Sequence, residues 1–193
     1  TTNDPPGAAC TVGTDTMTIT FIAAPPVSTS GIFGFCPAGS TTITATASII
    51  SPYTLSYQWY NGAVPIGGAT LPTRPFNAAG NYSVVVTGTP GGCTATSAFT
   101  IIAAANPTAS IAGTNTICEG ASSNLTAIAA AGSGAITSYQ WNNSGGPIGG
   151  ATANLYSLPE LTETYSVTVN NSYGCSITSA PGHVVTLNNG PLS

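Results

Sequence analysis

Residues 57–93 return almost unchanged as residues 139–175. Tyr57-Gln58-Trp59 matches Tyr139-Gln140-Trp141, Pro65-Ile66-Gly67-Gly68-Ala69-Thr70 matches Pro147-Ile148-Gly149-Gly150-Ala151-Thr152, and Tyr82-Ser83-Val84 matches Tyr165-Ser166-Val167. The first two offsets are 82 residues and the third is 83; Cys36 and Cys118 also stand 82 apart, as do Cys93 and Cys175. A period of this length is the size of a small domain, so the chain is expected to hold two copies of one self-contained unit. Two such periods leave 29 of the 193 residues over. The expected organisation is an incomplete unit with its linker at 1–29, a first full unit at 30–107 and a second at 108–193.

Within each unit the apolar residues alternate with polar ones, the period of a strand with one buried and one wet face. Ile43, Ala45 and Ala47 share a side; so do Leu55, Tyr57 and Trp59, and further on Tyr82, Val84 and Val86, with Phe99 and Ile101 on the last strand. The second unit repeats this with Leu125, Ala127 and Ala129, then Tyr139 and Trp141, then Tyr165, Val167 and Val169, then Val185 and Leu187. Phe76 and Leu158 mark a short additional strand, Asn61-Gly62 a tight hairpin, and Pro181-Gly182 a bend before the final strand. No stretch carries the period of an amphipathic helix. Many short alternating strands between Gly, Pro and Asn turns specify an all-β sandwich. Residues 1–29 read as the end of a further unit: Gly7-Ala8-Ala9-Cys10-Thr11 echoes Gly91-Gly92-Cys93-Thr94, and Met17, Ile19 and Phe21 alternate with threonines before Pro25-Pro26 ends the strand.

Charge excludes several roles. Asp4, Asp15, Glu119, Glu160 and Glu163 face a single Arg74, and lysine is absent. Phosphate backbones need clustered cations, so nucleic acid is not a partner; a polybasic membrane tether fails for the same reason. No apolar run is long enough to span a bilayer. Hydroxyls and amides must supply the solubility, which suits a secreted surface. The cysteines recur at fixed positions without metal-ligand spacing and so point to disulfides and an oxidising compartment. Asn81, Asn124, Asn142 and Asn170 each begin an N-glycan acceptor tripeptide, although chance also produces such matches in a chain rich in Asn, Ser and Thr.

No catalytic or cofactor-binding constellation emerges. His183 is the sole histidine and has no carboxylate near it in sequence; a structural bond to backbone is the expectation. The acids are too scattered for a paired-carboxylate or calcium site. The Gly67-Gly68 turn lacks the Lys-Ser/Thr continuation of a phosphate loop. Trp59 and Trp141 alternate with Tyr57 and Tyr139, which makes all four core residues together with Tyr82 and Tyr165; Tyr53, Tyr60 and Tyr173 are the side chains left for contact with sugars.

The Glu119-Gly120 turn, Trp141 on a central strand and Tyr165 two residues before Val167 resemble an immunoglobulin-type domain, and Trp59 with Tyr82-Ser83-Val84 gives the first unit the same marks. Ala45, Val84, Ala127 and Val167 stand where antibody domains carry their inter-sheet cysteines, so an apolar core is implied. Cys-Glu-Gly, Tyr-Gln-Trp, Tyr-Ser-Val and Gly-Cys taken together resemble the Ig-like and PKD-like tandem repeats of large secreted adhesins of Bacteroidota, over nearly the whole chain. The first unit departs from this with Cys36-Pro37-Ala38-Gly39. The resemblance implies an extracellular array, and Asp15-Thr16-Met17 resembles the O-glycosylation pattern of that phylum, with Thr16 as acceptor.

In such a sandwich Cys36 and Cys118 precede one turn, while Cys93 and Cys175 follow another at the opposite end. A strand spans roughly 20 Å and a disulfide requires Cα atoms within about 7 Å. Bonds between consecutive units are therefore one expectation, Cys36 to Cys175, with Cys118 and Cys10 joining successive copies. Pairing inside each unit, Cys36 to Cys93 and Cys118 to Cys175, is the other. The expected function is a non-enzymatic, extracellular structural array, a surface fibre or adhesin stalk without cofactor, whose partners are copies of itself or neighbouring Ig-like modules and which polymerises head-to-tail by strand addition. A carbohydrate-binding or cell-adhesion module is the alternative.

Overall fold

The computed structural model describes residues 17, 23–48, 54–188 and 190. The first sandwich comprises β1 (Val27–Ser30), β2 (Gly34–Phe35), β3 (Thr41–Ala47), β4 (Thr54–Asn61), β5 (Val64–Pro65), β6 (Thr73–Phe76), β7 (Gly80–Thr89) and β8 (Cys93–Ala103). One sheet orders β1-β3-β6; the other orders β2-β8-β7-β4-β5. β1 begins at Val27, ahead of the boundary at 30 expected from the sequence. Cys10, Thr16, Ile19, Phe21 and Tyr53 lie outside the described residues. Met17 is exposed and in no strand, although its alternation with threonines suggested one.

The second sandwich repeats the plan with β9 (Thr108–Gly113), β10 (Thr116–Cys118), β11 (Asn124–Ala130), β12 (Ile136–Asn143), β13 (Gly146–Pro147), β14 (Leu155–Ser157), β15 (Glu163–Asn171), β16 (Ser176–Thr178) and β17 (His183–Asn188). Its sheets order β14-β11-β9 and β10-β17-β15-β12-β13, with β16 added to β15. The chain is all-β, two Ig-like sandwiches in tandem. In each, a short strand after the first one crosses to the opposite sheet and runs parallel to the end of the last strand: β2 along Ile102 and Ala103, β10 along Thr186 to Asn188.

The alternating residues form the cores because a two-residue period sends every second side chain into the space between the sheets. Ile43, Ala45, Trp59, Phe76, Tyr82, Val84, Val86 and Ile101 are buried in the first; Leu125, Ala127, Trp141, Leu158, Tyr165, Val167, Val169 and Val185 in the second. Tyr57 and Tyr139 pack half-buried against them. Trp59 meets Phe76 edge-on at 5.7 Å and Phe99 at 6.0 Å, whereas Trp141 stacks on Tyr156 at 5.5 Å. Both indoles also donate their N–H, Trp59 to the Leu71 carbonyl at 2.8 Å and Trp141 to the Ala153 carbonyl at 2.9 Å.

The recurring motifs have a shared structural use. Gln58 Nε2 donates to the carbonyls of Trp59 and Ile66, and Gln140 Nε2 to those of Trp141 and Ile148, all within 2.8–2.9 Å. The amide clamps the strand to the segment that folds back over it. Ile66 and Ile148 then open turns closed by the amides of Ala69 and Ala151, whose carbonyls accept from Trp59 and Trp141. At the neighbouring hairpin Gly62 alone takes a positive φ, +57°, while Asn61 stays in the strand.

The last strand of the second sandwich is interrupted. Thr168 faces Thr178, yet Tyr165 faces His183, so two extra residues bulge between β16 and β17 around Pro181-Gly182. Buried Ser179 bridges the break: its amide donates to the Val167 carbonyl at 2.9 Å and its hydroxyl accepts from the Val167 amide at 3.1 Å.

The two repeated tyrosines differ in their hydroxyls. Tyr82 donates to the Ala78 carbonyl at 3.1 Å, whereas the Tyr165 hydroxyl is buried with no hydrogen-bond partner among the described residues. Removing a bonded hydroxyl costs about 0.5–1.5 kcal/mol, so Tyr82→Phe should lower stability by that amount in urea titration, while Tyr165→Phe should be neutral or stabilising. Burial, with Tyr156 and Glu163 adding to it, also pushes the Tyr165 phenol up. The folded protein thus holds this proton more tightly than the unfolded chain, whose tyrosines titrate near about 10. The contribution is intact below that pH and stability falls as pH rises through it. Tyr165→Phe should flatten that alkaline loss.

Candidate functional site

The sandwiches meet at a junction tied by a disulfide and by hydrogen bonds from a buried side chain. β2 brings Gly34, Phe35 and then Cys36 to the end of β8, beside the connecting residues 103–107. From the second sandwich, β15 and β16 present the turn Asn171-Ser172-Tyr173-Gly174-Cys175. Cys36 and Cys175 form a disulfide with Cα atoms 5.3 Å apart, bridging residues 139 apart in sequence. Among the two pairings compatible with the sequence, the structure has the one between units.

Asn171 holds the turn in shape and attaches it to the connection. Only 2% of its surface is exposed. Its Oδ1 accepts from the Tyr173 and Cys175 amides, each at 3.0 Å, which curls the turn around the side chain. Its Nδ2 donates to the Ala105 carbonyl at 3.1 Å and the Ala131 carbonyl at 3.0 Å. Every donor and acceptor of the amide is thereby used. Ser133 Oγ accepts from the Ala105 amide at 2.9 Å, adding a second tie between the connection and the second sandwich. Asn171→Ala would strand these buried groups, and each unsatisfied group costs about 1–3 kcal/mol. The expected result is a loss of at least about 2 kcal/mol in the urea stability of the second sandwich, together with faster amide hydrogen exchange at Tyr173 and Cys175.

Packing completes the junction. Gly34 is buried under the Tyr173 ring: a Cβ there would lie 2.5 Å from Tyr173 Cδ1. The Cys36 sulfur lies 3.8 Å from the Tyr173 carbonyl oxygen. Tyr173, expected to be exposed for contact with sugars, is half-buried because its ring fills the space over Gly34. Tyr60 is half-buried as well.

The other residues singled out from the sequence are dispersed. Cys118 is exposed at the far end of the second sandwich, and Cys93 is half-buried in the first. Asn81 and Asn124 are exposed, accepting hydrogen bonds from Thr100 and Ser157. Asn142 is half-buried, its Nδ2 donating to the Gln140 carbonyl and the Thr168 hydroxyl; Asn170 donates to Ser138. His183 Nε2 donates to the Thr114 carbonyl at 3.0 Å. Two hydrogen bonds, from the Thr164 amide and the Ser144 hydroxyl, hold the Glu163 carboxyl below its ordinary range. Arg74 lies over the Phe76 ring at 4.6 Å. Among the described residues no three of His, Cys, Asp or Glu converge on a point where a metal could sit, and no helix is long and apolar enough to cross a membrane.

Asn171 and Ser179 were not found from the sequence. Asn171 has no counterpart in the first unit, so the repeat that exposed the other motifs is silent about it, and it read instead as the middle of a glycan acceptor tripeptide; Ser179 does recur, 82 residues after Ser97, and was open to that signal. The Gln58 and Gln140 clamp was legible in principle, since glutamine and isoleucine recur eight positions apart in both units.

No model of a known protein family matches the chain, and neither does any curated protein. Among solved structures, the three N-terminal domains of the highly immunogenic outer capsid protein Hoc of bacteriophage RB49 match with a TM-score of 0.52 at 18% identity, over 85% of this chain and 59% of that one. The chain thus spans under two thirds of the Hoc fragment. Titin domains A168–A170 match with a TM-score of 0.47 at 14% identity, over 86% and 68%. Extracellular domains 3–5 of Drosophila OTK match with a TM-score of 0.41 at 15% identity, over 89% and 62%. At these identities the likeness to Hoc concerns the fold, and the fold is the tandem Ig-like β-sandwich.

Proposed function

We propose that this chain is a non-enzymatic structural protein that works outside the cell as a load-bearing stretch of a surface fibre or adhesin stalk. The observation that carries the reading is the Cys36–Cys175 bond. It joins the start of the first sandwich to the last hairpin of the second, so tension entering near one terminus and leaving near the other passes through a covalent bridge. Residues 37–174 lie outside that path. The bond also needs an oxidising compartment to persist. Charge at 3% of residues and a polar, uncharged surface fit a secreted protein with no phosphate-rich partner.

The finer reading is that copies assemble head-to-tail, the residues ahead of β1 supplying a strand to a neighbour, with Thr16, Asn81 and Asn124 as glycan acceptors and with the source in the secreted adhesins of Bacteroidota. A heterologous contact of that kind builds an open filament. Static light scattering and negative-stain microscopy of the purified chain test it: rods that lengthen with concentration are expected, and dispersed monomers would reject assembly.

A further inference from the structure

We infer that the Cys36–Cys175 bridge is a reclosing latch with one open side: a small thiol of the glutathione class attaches at Cys36, and Cys175 is the resolving sulfur that expels it. This rests on the load-bearing reading of the same junction and names its regulation.

The two sulfurs stand in unlike surroundings. Cys175 is 1% exposed and sits in the turn that Asn171 curls. Its amide donates to Asn171 Oδ1 at 3.0 Å, and its carbonyl accepts from the Asn171 amide at 3.0 Å. Cys36 is half-buried and is followed by exposed Pro37 and Ala38. Thiol exchange requires the incoming thiolate to reach the sulfur it attacks, and of the two it is Cys36 that offers solvent a face.

Attack there forms a bond between the incoming sulfur and Cys36 and breaks the bridge, whose electron pair leaves on Cys175 as a thiolate. Released out of water, that thiolate is a poor leaving group and a strong returning nucleophile. Its return to Cys36 restores the bridge and expels the small thiolate, so the cycle consumes neither oxidant nor reductant. Full opening needs a second small thiol, which attacks the outer sulfur of the adduct; the small disulfide leaves and two electrons stay on the protein as two thiols.

Return is favoured because neither cysteine depends on the S–S bond for its position. On one side the Ala104 amide donates to the Phe35 carbonyl at 2.8 Å, Ile102 to Phe33 at 3.2 Å and Gly39 to Cys36 at 2.8 Å. On the other, Asn171 Nδ2 ties the turn to Ala105 and Ala131, Ser133 Oγ accepts from the Ala105 amide, and the Tyr173 ring covers Gly34. A short flexible tether already confers a millimolar effective concentration, and two sulfurs held in place from both sides exceed it. Cys118, exposed and free, is the reference thiol within the same molecule.

The test is glutathione exchange on the purified full chain, read by acid quench and non-reducing peptide mapping. In millimolar reduced glutathione the closed bridge should outnumber its opened forms by roughly tenfold or more, and adducts should gather on Cys36 over Cys175. Cys175→Ala and Cys36→Ala in oxidised glutathione give the rates without return: Cys36 should react about as fast as Cys118, and Cys175 roughly tenfold slower. In urea the two rates should converge, because the difference belongs to the fold. A bridge mostly open in glutathione, adducts gathered on Cys175, or equal rates in folded variants would overturn the inference; the first two readings need no variant. Any of these would leave the load-bearing reading standing. Contour released between the two cysteines when the oxidised chain is pulled would remove that reading and leave the exchange chemistry in place.

Discussion

Trp141→Ala is expected to unfold the second sandwich at markedly lower urea while leaving the first in place. Trp141 is fully buried, stacked on Tyr156, and its indole N–H is bonded to the Ala153 carbonyl. Truncating a buried Trp costs about 3–5 kcal/mol through lost transfer energy and the cavity left behind, and the stranded carbonyl adds to that. A domain of this size has only about 5–15 kcal/mol in total, so the variant should approach the edge of folding. Trp59 then remains the sole tryptophan, and its fluorescence reports the first sandwich alone. Far-UV circular dichroism should show two transitions where fluorescence shows the later one. A loss below about 1 kcal/mol, ordinary for a surface substitution, would mean that Trp141 is not a core residue.

Removing the Cys36–Cys175 bond should be the next largest change. Cys36→Ser with Cys175→Ala releases a loop closed across 139 residues of sequence; disulfides contribute about 2–4 kcal/mol, more for long loops. The Asn171 bonds to Ala105 and Ala131 stay, so the sandwiches should remain neighbours yet gain freedom to bend. Expected results are a lower urea midpoint and a broadened small-angle scattering profile, both reproduced in wild type by reductant. Unchanged stability and an unchanged profile would remove the bond from the load-bearing account.

The fold was legible because its evidence is periodic and doubled. Alternation placed Ile43, Trp59, Val84 and Val167 on the buried face, and a second copy of Tyr-Gln-Trp made chance an untenable source. The junction was legible only in outline. Strand length and the reach of a disulfide allowed Cys36 to pair with Cys175, but composition could not choose that pairing over one within a unit, because the choice depends on how the connecting residues 103–107 direct the second sandwich. Asn171 sets that direction through Ala105, and a single asparagine with no counterpart in the first unit carries no pattern. Tyr173 was misplaced for a related reason: an aromatic residue in a hairpin turn faces solvent in an isolated unit and becomes buried when a neighbour offers a glycine beneath it.

Single-molecule force extension, with the chain held by its two ends, tests the central claim most directly. With the bridge intact, extension should stop once the segments outside 36–175, which include β1, β2, β16 and β17, have been drawn out, and the chain between the two cysteines should add no contour. In reductant the bridged segment becomes available, adding roughly 450–500 Å of contour at about 3.3–3.6 Å per residue for the 139-residue separation. A full sandwich unfolding in the oxidised chain, as a Cys36-to-Cys93 bond would permit for the second unit, would contradict the account.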